Sequence, residues 1–262
     1  MSYLRGFSTL GCPALELEAV CALARRHVVA VELRALGGTL DLAGHCAARF
    51  GTPAALAKAV RTNGVQVPVV GSSFALTDTD PAARAGLLAL APWAEASGAR
   101  WLRVFDGKDC GSAAAEPQAT LAWWREVRRA HGWQIDLAVE THDTLLTGAE
   151  IRRFAVHSSA PILWDAHHTW RRGGEDPAQT WSAIRAHVVH VHVKDSVRET
   201  GGEAARFRYV PPGVGEFPMA PLRAVLQCEF AGCVSLEWER HWQPQLGPLE
   251  DALQSAATAG WW

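Results

Sequence analysis

The stretch VVHVHVK, residues 188–194, alternates apolar and polar side chains with a period of two. Its inner valines share one parity, while His190, His192 and Lys194 share the other. A period of two is typical of a β-strand, because successive side chains point to opposite faces. Parallel strands covered by helices are usually apolar on both faces. Polar residues confined to one parity therefore predict a strand that lines the polar mouth of a barrel.

Two other segments place polar side chains in the same way. VELR puts Glu32 and Arg34 on one face, and CVSLEWE puts Glu237 and Glu239 on one face. Active sites of parallel barrels lie at the C-terminal ends of the strands. We therefore expect these side chains to share one mouth with those of VVHVHVK.

Strand-like and helix-like segments alternate along the whole chain of 262 residues. Eight βα units in this length predict the α/β class and one (β/α)8 TIM barrel domain over residues 1–262. A doubly wound open sheet is the alternative, but FSTLGCPALE is a poor phosphate loop after the first strand. The expected strands are residues 3–8, 28–34, 66–71, 100–105, 135–140, 161–165, 188–194 and 233–237.

The predicted helical segments begin and end with residues that are common at helix ends. Proline is favoured in the first turn of a helix and glycine just after its last turn. The prolines in question are Pro13, Pro81 and Pro177, and the glycines are Gly64, Gly98 and Gly132.

Four chemically active side chains fall on four successive strands. IDLAVE ends at Glu140, PILWD ends at Asp165, VVHVHV carries His192, and CVSLE ends at Glu237. Three carboxylates and an imidazole that converge would repel one another or stay unpaired without a cation between them. The pattern predicts a metal-dependent enzyme with these four residues as ligands.

Composition narrows the choice of partner and location. The formal net charge is −2, so the chain lacks the basic excess that is typical of nucleic-acid binding. The sequence has no membrane-length apolar stretch and no signal-like N-terminus, so we expect a cytoplasmic protein without nucleic-acid or membrane partners. Trp238, Trp242, Trp261 and Trp262 are candidates for a homodimer contact, although simple burial explains them equally well.

The segment of residues 195–218, DSVRETGGEAARFRYVPPGVGEFP, has no clear periodicity. A loop of this length between a strand and its helix is uncommon and is often a lid or a binding loop. We expect it to be irregular.

These residues together resemble the xylose isomerase-like barrels, a family of sugar isomerases and epimerases that also includes apurinic-site endonucleases. The resemblance covers nearly the whole chain and is strongest over residues 135–240. The ketose epimerases of the family carry Glu, Asp, His and Glu ligands on these four strands, with a histidine three after the aspartate and an arginine six after the metal histidine. His168 and Arg198 match those two positions, whereas Leu146 stands where the epimerases have another glutamate.

The resemblance implies one divalent ion, Mn²⁺, Mg²⁺, Co²⁺ or Zn²⁺, that binds two adjacent oxygens of a small polyhydroxylated substrate. Glu140 and Glu237 would transfer the proton through an enediolate, in an isomerase or epimerase of a sugar or sugar phosphate. His168 and Arg198 would hold substrate hydroxyls. Lys194, Arg103 and Arg34 would bind a terminal phosphate or carboxylate, or else make ordinary ion pairs in the mouth, such as Glu32 with Arg34.

Other functions remain open on the same fold. A lyase acting on an inosose or keto acid would use the same metal site. An apurinic-site phosphodiesterase would need extra histidines from the early strands, and neither His27 nor His45 ends a predicted strand. A non-catalytic sugar-binding protein would not need the complete ligand set.

Overall fold

The structure, a computed structural model, describes residues 3–108, 110–111, 114–199 and 206–261. Eight parallel strands form the barrel: β1 (Leu4–Ser8), β2 (Ala30–Leu33), β3 (Val69–Ala75), β4 (Trp101–Phe105), β5 (Asp136–Glu140), β6 (Ile162–Asp165), β7 (Val188–Val193) and β10 (Cys233–Leu236). They close in the order β1-β10-β7-β6-β5-β4-β3-β2. The predicted (β/α)8 barrel is confirmed.

Ten helices surround the barrel in the described part of the chain. They are α1 (Leu17–His27), α2 (Leu42–Phe50), α3 (Pro53–Asn63), α4 (Pro81–Ala96), α5 (Ala115–His131), α6 (Gly148–Ser158), α7 (Ala166–Arg171), α8 (Pro177–Ile184), α9 (Met219–Glu229) and α10 (Leu249–Thr258). Pro81 and Pro177 occupy the first turns of α4 and α8, as predicted. Gly64 and Gly132 end α3 and α5 in the left-handed conformation that favours glycine. Pro13 lies ahead of α1, which begins only at Leu17.

The apolar core has two parts. A large outer layer between strands and helices includes the buried indoles of Trp124, Trp164 and Trp181. Inside the barrel, the buried side chains of Val69, Ala138 and Leu163 form a smaller cluster. This apolar cluster fills the interior below the mouth and leaves the polar side chains of the strand ends above it.

The segment over residues 195–218 was predicted to be irregular, and this prediction is wrong for part of it. It contains an antiparallel hairpin of β8 (Asp195–Glu199) and β9 (Arg206–Val210). The two strands pair only with each other. Their sequences, DSVRE and RFRYV, lack the apolar run that marks a strand inside a barrel, and this is why sequence patterns did not predict them. Residues 200–205 lie outside the described part.

No helix among the described residues is long and apolar enough to span a membrane. Trp238 and Trp261 are each 3% exposed within one chain, whereas Trp242 is 56% exposed. Burial therefore explains the first two without a partner, and Trp262 lies outside the described residues. The homodimer remains a prediction.

Candidate metal centre and active site

The four predicted ligands meet at the C-terminal mouth of the barrel. Glu140, Asp165 and His192 lie at or near the ends of β5, β6 and β7, and Glu237 follows β10. One ligand atom from each residue lies within 4.8 Å of the corresponding atoms of the others, and all four residues are buried. The neighbouring register of the strands brings them together, because Asp165 pairs with His192 and Ser235 lies beside it on β10.

The donor atoms fit a divalent cation. Among the described residues, Glu140 Oε2 and Asp165 Oδ2 are buried and contact only the side chains of Arg103, Lys194 and His168. His192 Nδ1 is buried and has no hydrogen-bond partner in the described part of the chain, although buried polar atoms in folded proteins nearly always have one. It faces the carboxylates of Glu140 and Glu237, and a cation between them would give it a partner. Carboxylate oxygens with one imidazole are donors that Mg²⁺, Mn²⁺, Co²⁺ and Zn²⁺ accept.

His192 is oriented by Glu32, which the sequence patterns placed in the mouth without assigning it a role at the metal centre. Its Nε2 lies 2.7 Å from Glu32 Oε2, while its Nδ1 faces Glu140 Oε1 at 3.4 Å and Glu237 Oε1 at 3.5 Å. His190 Nε2 also lies 3.2 Å from Glu32 Oε2. Glu32 thus fixes the ring with Nδ1 towards the carboxylates, as carboxylates commonly do for metal-bound histidines. The expected ion pair between Glu32 and Arg34 does not form.

Burial and the neighbouring charges shift the pKa values of the candidate ligands. Burial acts to raise the pKa of Glu140, but Arg103 and His192 outweigh it and hold that pKa well below its ordinary value. Burial raises the pKa of Glu237, against the opposing effect of Lys194. Burial acts to lower the pKa of His192, but the charges of Glu32 and Glu237 raise it well above its ordinary value.

Lys194 binds carboxylates rather than facing open space. Its Nζ lies 2.9 Å from Asp165 Oδ2 and 2.5 Å from Glu239 Oε1, and it also contacts Glu237 Oε2. Tyr209 of the hairpin donates its hydroxyl to the same Glu239 oxygen at 3.1 Å. The ammonium group therefore neutralises the carboxylates of the mouth, and its assignment to substrate stays a prediction. Glu239, which shares a face with Glu237, is its third acceptor.

Arg103 holds the first catalytic candidate in place. Its Nε lies 3.1 Å from Glu140 Oε2, and its Nη1 donates to Ser72 O at 2.9 Å. The guanidinium also lies over the Phe105 ring, 4.1 Å from its centroid. Arg103 is only 1% exposed, so this geometry is fixed by packing on several sides.

Two histidines line the cavity beside Glu140. His168 Nδ1 lies 3.3 Å from Asp165 Oδ2, and its ring meets that of His142 edge-on at 4.9 Å. Burial lowers the pKa of His168 to about 4, against the opposing effect of Asp165. His168 was predicted here; His142 was not, although its place two residues after Glu140 is a usable signal.

Of the other two predicted substrate-binding arginines, Arg34 lies in the mouth of the barrel and Arg198 lies outside it. Arg34 is buried and lines the cavity of about 110 Å³ at the mouth, together with Arg103, Glu140 and Glu237. Arg198 is exposed on the hairpin, with its guanidinium over Phe207. The structure therefore brings Arg34 to the site and leaves Arg198 outside the cavity, because β8 carries it away from the mouth. A contact of Arg198 with substrate finds no support in this arrangement.

Together, the barrel and its buried ligand cluster define a class of TIM barrel with a candidate metal centre at the C-terminal mouth. The model of the family described as xylose isomerase-like TIM barrel matches residues 22–259. The chain belongs to this family, which confirms the resemblance noted from the sequence.

Solved structures share the fold at low identity. The probable 3-DHS dehydratase AsbF of Bacillus anthracis is 17% identical with a TM-score of 0.73, over 98% of this chain and 99% of that one. The IOLI protein with a bound zinc atom is 15% identical with a TM-score of 0.72, over 98% and 96%. The 3-keto-D-glucoside 4-epimerase YcjR of E. coli is 15% identical with a TM-score of 0.69, over 99% of both chains. No curated protein sequence matches this chain.

Proposed function

We propose that the chain is a divalent-metal-dependent isomerase or epimerase of a small hydroxy-carbonyl compound. The observation that carries the proposal is the buried cluster of Glu140, Asp165, His192 and Glu237, whose ligand atoms lie within 4.8 Å of one another. Converging buried carboxylates are costly for the fold unless cations neutralise them. Its position at the C-terminal mouth is where barrels of this kind place their chemistry.

A bound divalent ion would supply Lewis acidity at the substrate oxygens and make the adjacent C–H bond more acidic. Glu140 and Glu237 both line the cavity, so each can reach a carbon held there. One would take the proton and the other would return it, which interconverts positions or configurations without any redox cofactor. Arg103 would keep the Glu140 carboxylate oriented during this exchange, through the contact at 3.1 Å.

The size of the cavity and the known relatives of the fold are in keeping with this substrate class. The cavity of about 110 Å³ suits a compound of a few carbons. Structures of the same fold include a 3-keto-D-glucoside 4-epimerase and a D-tagatose 3-epimerase-like protein.

A dehydratase is the second candidate, and the two histidines of the cavity favour it. His142 and His168 lie beside Glu140, where one could donate a proton to a departing hydroxyl group. Loss of water would use the same abstraction of a proton next to a carbonyl. One protein of known structure with this fold is a probable 3-DHS dehydratase.

Exchange of carbon-bound hydrogen in D₂O tests the proposal and separates the two candidates. The Mn²⁺-loaded protein would be incubated with ketoses, aldoses, inososes and hydroxypyruvate, and followed by NMR and mass spectrometry. We expect deuterium at the carbon next to the carbonyl in an isomeric product of otherwise unchanged mass. A product lighter by one water supports the dehydratase instead.

Matched variants show whether the cavity carboxylates catalyse the hydrogen exchange. Glu140→Gln removes the charge of a cavity carboxylate and should abolish exchange. Glu126→Gln makes the same change on the exposed face of α5 and should leave exchange intact. Exchange that persists in Glu140→Gln, or that needs no metal, would contradict the proposal.

A further inference from the structure

Arg34 is a buried cation without a counter-ion among the described residues. It is 3% exposed, and no carboxylate oxygen of the described residues lies within 4 Å of its guanidinium, whereas Arg103 and Lys194 both have carboxylate partners. Its Nη2 donates to Ser73 Oγ at 2.8 Å, but its Nη1 is buried without a partner. An uncompensated buried charge destabilises a fold, so its presence at the mouth requires an explanation.

The backbone of β3 makes room for two guanidinium groups side by side. A Cβ on Gly71 would lie 2.6 Å from Arg34 Cδ and 3.0 Å from Arg103 Nη2. Both side chains therefore cross the strand at the position that has no side chain. Burial and the neighbouring charge of Arg103 lower the pKa of Arg34 to about 9. The two like charges repel, and an anion between them would remove that repulsion.

Both arginines line the small cavity that holds Glu140, Glu237 and His142. A molecule in this cavity that reaches the candidate metal ligands is therefore also next to Arg34. Guanidinium groups bind carboxylates through charge-assisted hydrogen bonds, with a planar geometry that matches the carboxylate. A volume of about 110 Å³ leaves room for a carboxylate on a compound of a few carbons.

We propose that Arg34, beside Arg103, binds a carboxylate of the substrate, so that the substrate is a small hydroxy-carbonyl acid rather than a neutral sugar. The inference rests on the proposed function, because the hydroxy-carbonyl end would lie at the metal centre. It assigns the unsatisfied Nη1 a partner.

A matched pair of ligands tests this by calorimetry on the Mn²⁺-loaded protein. 3,4-Dihydroxybutanoate and 1,2,4-butanetriol share a vicinal diol and differ in a carboxylate replaced by a hydroxymethyl group. We expect the acid to bind about tenfold to hundredfold more tightly in the wild type. Arg34→Gln should remove this preference, Arg34→Lys should keep part of it, and the exposed-site control Arg49→Gln should leave it unchanged.

Other outcomes would overturn the assignment. Equal binding of acid and triol by the wild type would contradict it, as would an unchanged preference in Arg34→Gln. Tighter binding of glycerol 3-phosphate than of the dihydroxy acid would replace the carboxylate by a phosphate. Arg34→Gln should melt at or above the wild-type temperature, because it removes an uncompensated charge; a marked fall would show a structural role instead.

A metal-free arm separates this inference from the proposed function. Sodium acetate, compared with sodium chloride at the same ionic strength, should raise the melting temperature of the metal-free wild type and of Arg49→Gln. Acetate should leave the melting temperature of Arg34→Gln unchanged. If the wild type takes up no Mn²⁺ but acetate still acts through Arg34, the metal proposal fails and the anion site stands. If Mn²⁺ binds and acetate has no effect, the anion site fails alone.

Discussion

At the scale of single residues, the imidazole of His192 decides whether the cluster can bind a cation. Each ring nitrogen has a separate role: Nε2 meets Glu32 at 2.7 Å, and Nδ1 faces Glu140 and Glu237. A ring flipped about its Cβ–Cγ bond would place carbon atoms where the two nitrogens now lie, and it would lose both contacts. The residue that orients a ligand can therefore matter nearly as much as the ligand itself.

We predict that Glu32→Gln weakens metal binding roughly tenfold to hundredfold, as is typical when a group that orients a metal ligand is changed. The amide keeps an oxygen near His192 Nε2 but loses the negative charge that polarises the ring. Titration calorimetry with MnCl₂ measures the loss, and circular dichroism checks the fold. The exposed Glu126→Gln serves as the control; equal affinities in all three proteins would contradict the role given to Glu32.

A second prediction concerns Lys194, which neutralises Asp165, Glu237 and Glu239. In Lys194→Met the metal-free protein should lose about 3–5 kcal/mol of its free energy of unfolding, because buried carboxylates lose their partner. Added Mn²⁺ should then raise the melting temperature more than it does in the wild type. Calorimetric scans with and without metal measure both effects, and an unchanged metal-free stability would show that the ion pairs contribute little.

At the scale of elements, the hairpin β8–β9 is tied to the mouth by one carboxylate. Asp195 accepts hydrogen bonds from the backbone N–H groups of Ser196, Gly213, Gly215 and Phe217 at 2.9–3.0 Å. The segment after the hairpin is thus held against the end of β7. Tyr209 then reaches Glu239, so the position of the hairpin affects the carboxylates of the site.

Gly215 offers a direct test of this connection. An added Cβ would lie 2.1 Å from Asp195 Oδ1, so Gly215→Ala should displace the carboxylate and loosen the segment over residues 206–217. Hydrogen exchange should speed up there while the barrel strands stay protected. Gly86→Ala, with no atom within 4 Å of the added Cβ, is the control and should stabilise α4 by about 0.5–1 kcal/mol. Unchanged exchange in Gly215→Ala would contradict the anchoring role of Asp195.

At the scale of the whole molecule, the sequence patterns predicted the barrel and the convergence of the four candidate ligands, because both depend on strand parity. A period of two places His192 inward, and strand ends bring Glu140, Asp165 and Glu237 to one mouth. The contact between Glu32 and His192 joins positions 160 residues apart and depends on how the closed barrel packs across its interior. The position of Arg198 outside the cavity could not be predicted, because it depends on the hairpin. The strands of the hairpin pair only with each other and have no apolar run that would reveal them in the sequence.

Metal binding should stabilise the entire fold, because the ligands come from four separate strands. A free metal concentration a hundred times the Kd adds about 2.7 kcal/mol to the free energy of unfolding. For a chain of this size, this corresponds to an increase in the melting temperature of roughly 5–10 °C. Differential scanning with MnCl₂ and with EDTA measures it, and identical melting temperatures in both would contradict the prediction.

The most direct measurement is the titration of Mn²⁺ into the EDTA-treated protein, followed by calorimetry, for the wild type and His192→Gln. The account predicts one ion per chain in the wild type and a loss of that binding in the variant, while circular dichroism shows both proteins folded. Absence of binding in the wild type, or equal affinity in His192→Gln, would show that the four side chains do not hold a cation.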